Sequence, residues 1–255
     1  MAIPDEVIIG PLTREIFSGA SWRCSDDFPS NQAWADDVES VLSHLKAQKQ
    51  FRRFLPMLRG KLTQRDSALA EARTAFFFSR NGFSIVSWEP RGGSNSLGEF
   101  EIQQELLPPI FVEVKGPRWE GEIDQSERPE RKKERKYKNG EVRSLDTIGK
   151  IIEAINKAIK QNKFLAGKPN LLVVYISNLF VSPTELSKKI VLPKVKTALK
   201  TASSLSGVLM LYLICQGTSI RYETLFVKNT KADKDSKLPS PMEEWLLSAN
   251  NDIQT

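Results

Sequence analysis

Residues 99–116 read Glu99-Phe-Glu-Ile-Gln-Gln-Glu-Leu-Leu-Pro-Pro-Ile-Phe-Val-Glu-Val-Lys-Gly116. Acid and amide residues alternate with Phe100 and Ile102. Further on, Val112 and Val114 alternate with Phe111, Glu113 and Lys115. A period of two is the signature of a strand with two unlike faces. The spacing therefore predicts strands over 99–103 and 110–115, joined through 106–109 as a hairpin.

Working outward, residues 64–80 carry Leu69, Ala72, Ala75, Phe76, Phe77 and Phe78 at helical spacing, stopped by Asn81-Gly82. Residues 83–88 form a first strand closed by Pro90-Arg-Gly-Gly. Downstream, 117–143 is charged and reads as a surface insertion. A helix over 146–162 comes next, with Ile148, Ile151, Ile152, Ile155 and Ile159 on one stripe. The apolar run Leu171 to Ile176 fits a strand buried on both faces. Ser182-Pro183-Thr184-Glu185 is a helix start, and Pro193 predicts a break in that helix. Two more strands, 207–215 and 220–228, come after it. Ahead of the hairpin, 31–48 reads as a helix and 50–60 as a second, short one broken by Pro56, and 1–30 show no period. The expected organisation is a mainly helical extension (1–63), an α/β domain with a central mixed sheet flanked by helices (64–228), and a polar linker with a short helix (229–255).

Composition narrows the function. The chain has 255 residues, a net charge of +6 and a 40% apolar content. That is enough to bury one sizeable core, and it excludes a disordered chain. Two cysteines and a single histidine exclude a disulfide framework and a multi-histidine metal site. His44, among apolar helix residues, reads as structural. No apolar run reaches the ~18 residues of a bilayer span, and no secretory leader is visible, so a cytoplasmic protein without membrane association is expected. No phosphate-binding P-loop is present, so ATP-driven movement would have to come from a partner.

Charge is unevenly distributed. Residues 1–47 hold eight acids against three bases, whereas 128–138 hold seven bases, among them Arg131, Lys132, Lys133, Arg135, Lys136 and Lys138, against two acids. With Arg118 and the nearby Trp119, that run is a candidate nucleic-acid contact, because phosphate binding releases condensed counterions. A solvated loop would have the same composition.

An acid two residues before a lysine occurs four times, at Glu113, Glu130, Glu134 and Asp235, but only Glu113 lies in a strand of β-branched residues. Strand geometry puts Glu113 and Lys115 on one face, ~7 Å apart along the backbone. Buried charges need partners. Glu99 opens the neighbouring strand, facing the same way as Glu101. Glu71 lies mid-helix with Ala68 and Ala75 beside it. Three carboxylates and a lysine meeting at a sheet edge would suit a hard divalent ion, Mg²⁺ or alternatively Mn²⁺, with water as nucleophile.

This constellation resembles the PD-(D/E)XK, or restriction-endonuclease-like, nuclease superfamily over residues 64–177. The resemblance implies an αβββαβ core and Mg²⁺-dependent hydrolysis of phosphodiesters, in DNA first of all. It places Glu99 as the first acid, Glu113 and Lys115 as the second acid and lysine, and Glu71 as the helix glutamate. All four are then catalytic, and Glu99, Glu113 and Glu71 are metal ligands. The chain has Glu where the family usually has Asp, and Gly98 where it has Pro; Glu101 is an alternative first ligand. A module binding nucleic acid or a protein without hydrolysis is the other reading. As a homodimer or with a protein partner, either form would suit defence, repair or mobile-element complexes.

Overall fold

The computed structural model describes residues 8–17, 31–60, 62–93, 96–116, 141–161, 163–177, 185–216 and 219–248. Helices α1 (Pro11–Phe17), α2 (Asn31–Ala47), α3 (Phe51–Leu58) and α4 (Leu62–Arg80) precede strands β1 (Ser84–Trp88), β2 (Phe100–Gln103) and β3 (Ile110–Lys115). Helix α5 (Glu141–Lys160), β4 (Asn170–Ile176), α6 (Glu185–Leu199), β5 (Gly207–Gln216), β6 (Ser219–Lys228) and α7 (Ser240–Ser248) complete the order.

The protein is a mixed α/β structure. Its six strands run β1 to β6 in chain order across one sheet. β1, β2 and β3 pair antiparallel, β3–β4 and β4–β5 parallel, and β5–β6 antiparallel. The central strands explain the layering. All seven residues of β4 are buried, and they alternate. Leu171, Val173 and Tyr175 join the core under α2, α3 and α4, whereas Leu172, Val174 and Ile176 join the core under α5 and α6. Helices therefore cover both faces, the condition under which a central strand reads as an unbroken apolar run. Trp34, Val38 and Phe54, from the segment before residue 63, belong to the same apolar cluster as α4 and the sheet.

Four expectations are corrected. Helices run through both prolines expected to break them: α6 through Pro193, because Val191, Val195 and Leu199 are buried along one stripe that packing holds in place, and α3 through Pro56, between the buried Phe54 and Leu58. Helix α5 starts at Glu141, ahead of the expected Asp146 and inside the stretch read as a charged surface insertion. A short helix, α1, occupies part of the aperiodic N-terminal region, where Glu39 of α2 accepts hydrogen bonds from Leu12 N and Thr13 N. The segment expected as a polar linker is tied down: Asn229 Nδ2 donates to Ala202 O and Leu205 O at 2.8 Å, and Ala232, Ser236 and Leu238 are buried. Polar composition there reflects capping of backbone carbonyls rather than solvation. No helix among the described residues is long and apolar enough to cross a membrane.

Candidate functional site

The site forms where the end of β3 meets α4 on one side and α5 on the other. Glu99 N donates to Val112 O at 3.3 Å, which extends the β2–β3 ladder by one residue and brings Glu99 alongside Glu113. Gly98 is required there: a Cβ on it would lie 2.2 Å from Phe111 Cζ. A proline at 98 would put a ring into the same space. Gly116 plays the matching part toward the helix, since a Cβ there would come within 2.7 Å of Ala70 Cβ. This close approach brings Glu71 of α4 to the end of β3. The resulting cleft of about 720 Å³ is lined by Glu71, Glu99 and Lys115, with Lys150, Glu153 and Lys157 of α5 on the opposite wall.

Glu113 sits behind this lining, fully buried. Its Oε1 accepts from Lys115 Nζ at 2.5 Å and is ion-paired with Lys163 Nζ at 2.9 Å, while Oε2 accepts no hydrogen bond from the described residues. Glu71 is ion-paired with Arg53, whose other guanidinium nitrogen is 3.0 Å from Glu89 Oε1. Arg53 is itself fixed by aromatic rings, 4.5 Å over Phe54 and 5.0 Å over Trp88. Burial pushes the Glu71 carboxyl up to about 8, reinforced by Glu99 and opposed by Arg53. Glu99 is pushed up to about 7 by burial and then by Glu113, against the pull of Lys163 and Lys115. Each acid thus senses the next, and burial costs the row more than its cations return.

The structure brings together Glu71, Glu99, Glu113 and Lys115, the four residues singled out from sequence. Glu101 lies further along the same face and is 3.6 Å from Lys168 instead. His44 sits in the helical layer, its Nε2 3.3 Å from Ser79 Oγ and its ring against Phe76, where burial lowers its pKa. Arg118, Trp119 and the basic run with Arg131, Lys132, Lys133, Arg135, Lys136 and Lys138 lie outside the described residues, as does the Ser182 cap. Arg53 and Lys163 carry no sequence signal: they reach the acids only through the packing of α3 and of the turn after α5.

Among the described residues, no three His, Cys, Asp or Glu side chains are grouped so as to hold a metal ion as they stand. In kind, however, the donors fit a hard cation. They are carboxylates, two of them held above their ordinary range first of all by burial and then by a neighbouring acid, and the third keeps one buried oxygen without a donor among the described residues.

No protein-family model matches the sequence, and no curated protein does. A solved structure of SfsA from Pyrococcus furiosus in complex with Ca²⁺ is similar at 18% identity and a TM-score of 0.29, over 67% of this chain and 65% of that one. The chain thus spans less than two thirds of that protein, and a likeness of this degree carries no argument about activity.

Proposed function

We propose that the cleft hydrolyses phosphodiester bonds in nucleic acid, DNA in the first instance, as a Mg²⁺-dependent endonuclease of PD-(D/E)XK type with a restriction-endonuclease-like core. One observation carries this reading: two adjacent antiparallel strands and the middle of one helix bring Glu99, Lys115 and Glu71 to a single cleft, with Glu113 directly behind its lining and joined to Lys115. Glu99 and Glu113, with Glu71, would hold the divalent ion, which when bound supplies an acidified water and neutralises charge on the phosphate. The remaining work falls to the chain's own groups. Lys115 Nζ lies at the cleft wall, placed to meet negative charge developing on a phosphate oxygen. Lys150 and Lys157, seven residues apart on α5, offer ammonium groups along the opposite wall, where a polyanionic strand would run. Arg53 keeps Glu71 turned toward the cleft.

The test is cleavage of plasmid and of labelled DNA and RNA oligonucleotides, with Mg²⁺, with Mn²⁺ and with chelator. Cutting that stops with chelator and falls at least about 100-fold in Lys115→Ala supports the reading. No cutting in any condition, or cutting indifferent to Lys115→Ala, removes it.

A second reading, a binding module without hydrolysis, is favoured by the ion pairs that already engage Glu71 and Glu113. Calorimetric titration with Mn²⁺ separates the two. Binding that vanishes in Glu113→Gln belongs to the enzyme, and nucleic-acid binding without any Mn²⁺ site belongs to the module.

A further inference from the structure

Glu113 receives two lysines on one oxygen, and the two are placed differently. Lys115 Nζ and Lys163 Nζ both lie within 3 Å of Oε1, at 2.5 and 2.9 Å. Lys115 lines the cleft; Lys163 is not among the lining residues. Lys163 comes from the turn after α5, and its carbonyl accepts a hydrogen bond from Gly93 N at 2.7 Å, which ties that turn to the loop after β1. A lysine whose only partner is a fully buried carboxylate cannot leave it without stranding a charge in the interior, and a stranded buried charge is among the most destabilising defects a protein can carry. With Lys163 in place, Lys115 can leave.

We propose that Lys163 is a positioning residue that retains Glu113 while Lys115 turns into the cleft to meet a substrate phosphate. The proposal rests on the nuclease reading for the identity of that phosphate, but the division of labour is a property of this chain alone. Lys163 also occupies Oε1 and leaves Oε2 without a donor among the described residues, so the carboxylate presents that oxygen in a fixed orientation.

The experiment uses the full-length chain and three readouts, with Lys115→Met, Lys163→Met, Lys163→Arg and the double Lys115→Met/Lys163→Met variant. In thermal melts, either single methionine variant retains one ammonium on Glu113 and loses only a few degrees. The double variant loses about 10 °C or more, well beyond the sum of the singles, and Glu113→Gln removes the excess. If the double variant fails to fold, recovery of folding by Glu113→Gln counts in the same way. In binding of a labelled DNA duplex in chelator, Lys115→Met lowers the slope of log affinity against log salt by about one, whereas Lys163→Met leaves it unchanged. In cleavage, Lys163→Met lowers kcat about 10- to 100-fold at unchanged KM, and Lys163→Arg restores most of it.

Additive melting losses overturn the proposal, as does a Lys163→Met variant that flattens the salt slope as Lys115→Met does. A wild-type protein that binds the duplex but never cuts it removes only the nuclease reading, and the melts and slopes still decide the roles of the two lysines. A wild-type protein that binds no duplex overturns the assignment of Lys115 to a phosphate.

Discussion

Two groups of buried charge lie on α4, less than one turn of helix apart in sequence, and they are built on opposite terms. At Arg73 every charge is met. Its Nε and Nη2 both lie 2.8 Å from Asp37 Oδ2, its Nη1 donates to Tyr175 Oη at 3.0 Å, and Tyr222 Oη donates to Asp37 Oδ1 at 2.8 Å. Burial works against the guanidinium's charge, and Tyr175 and Asp37 outweigh it. At Glu71, two residues earlier, burial costs the crowded carboxylates more than Arg53, Lys115 and Lys163 return, and two of them are pushed to about 7 and about 8. The first group joins α2, α4, β4 and β6. The second leaves an electrostatic deficit facing a cleft. Buried charge with matched partners marks architecture, and buried charge left unmatched beside solvent marks a place built for something else to bind.

The largest effect should come from breaking the matched group. Asp37→Ala strands Arg73 in the core and should cost about 3–5 kcal/mol in chemical denaturation, at every pH from 6 to 9. A loss under about 1 kcal/mol would mean that the two groups do not differ as described.

Easing the unmatched group should act in the other direction. Glu99 titrates near 7 in the folded protein and near 4.5 when unfolded, so the folded state holds its proton to higher pH. Stability from this group is present at low pH and is lost as pH rises from about 4.5 through 7, once the carboxylate ionises among its neighbours. Glu99→Gln removes that loss. The variant should match wild type at pH 5 and exceed it by about 1–3 kcal/mol at pH 8, checked by urea denaturation at both values.

The same deficit predicts the pH dependence of cation binding. Calorimetric Mn²⁺ affinity should rise at least about 10-fold between pH 6 and pH 8, as protons leave Glu99 and Glu71, because proton and cation compete for the same oxygens. Affinity independent of pH would place the ion elsewhere.

Arg53→Met should have the smallest effect, a stability loss of about 1 kcal/mol at pH 7. Glu71 can take up a proton once its guanidinium is gone, so little charge is stranded, in contrast with Asp37→Ala. A loss of several kcal/mol would show that Arg53 carries architecture as well.

Local pattern carries information about strands and their faces, and most of the sheet was legible on that basis. The alternation at 110–115 and the unbroken run at 171–176 placed β3 and β4 correctly, because period and burial are written residue by residue. The four candidate residues could be named because two share a strand face, one was expected to open the neighbouring strand and one stands among alanines on a helix. Partners that arrive through tertiary packing left no trace. Arg53 is 18 residues from Glu71, and Lys163 is 50 from Glu113 by their numbers, each in a stretch that reads as ordinary basic surface. Asn229 looked like linker for a similar reason, since the carbonyls it serves, those of Ala202 and Leu205, belong to the chain after α6. Pro193 misled in the opposite way: its local veto on helix was overruled by the buried stripe through Val191 and Val195.

The hydroxyl that completes Asp37 comes from Tyr222, 185 residues later in the chain. On a ribosome adding about 5–20 residues per second, α2 and α4 must wait roughly 10–40 s for that partner. Throughout that interval an unfinished polar cluster and an uncovered apolar helix face are open to chaperones and to other nascent chains, so the yield of this protein in cells should depend on translation speed more than that of a fold whose core closes locally.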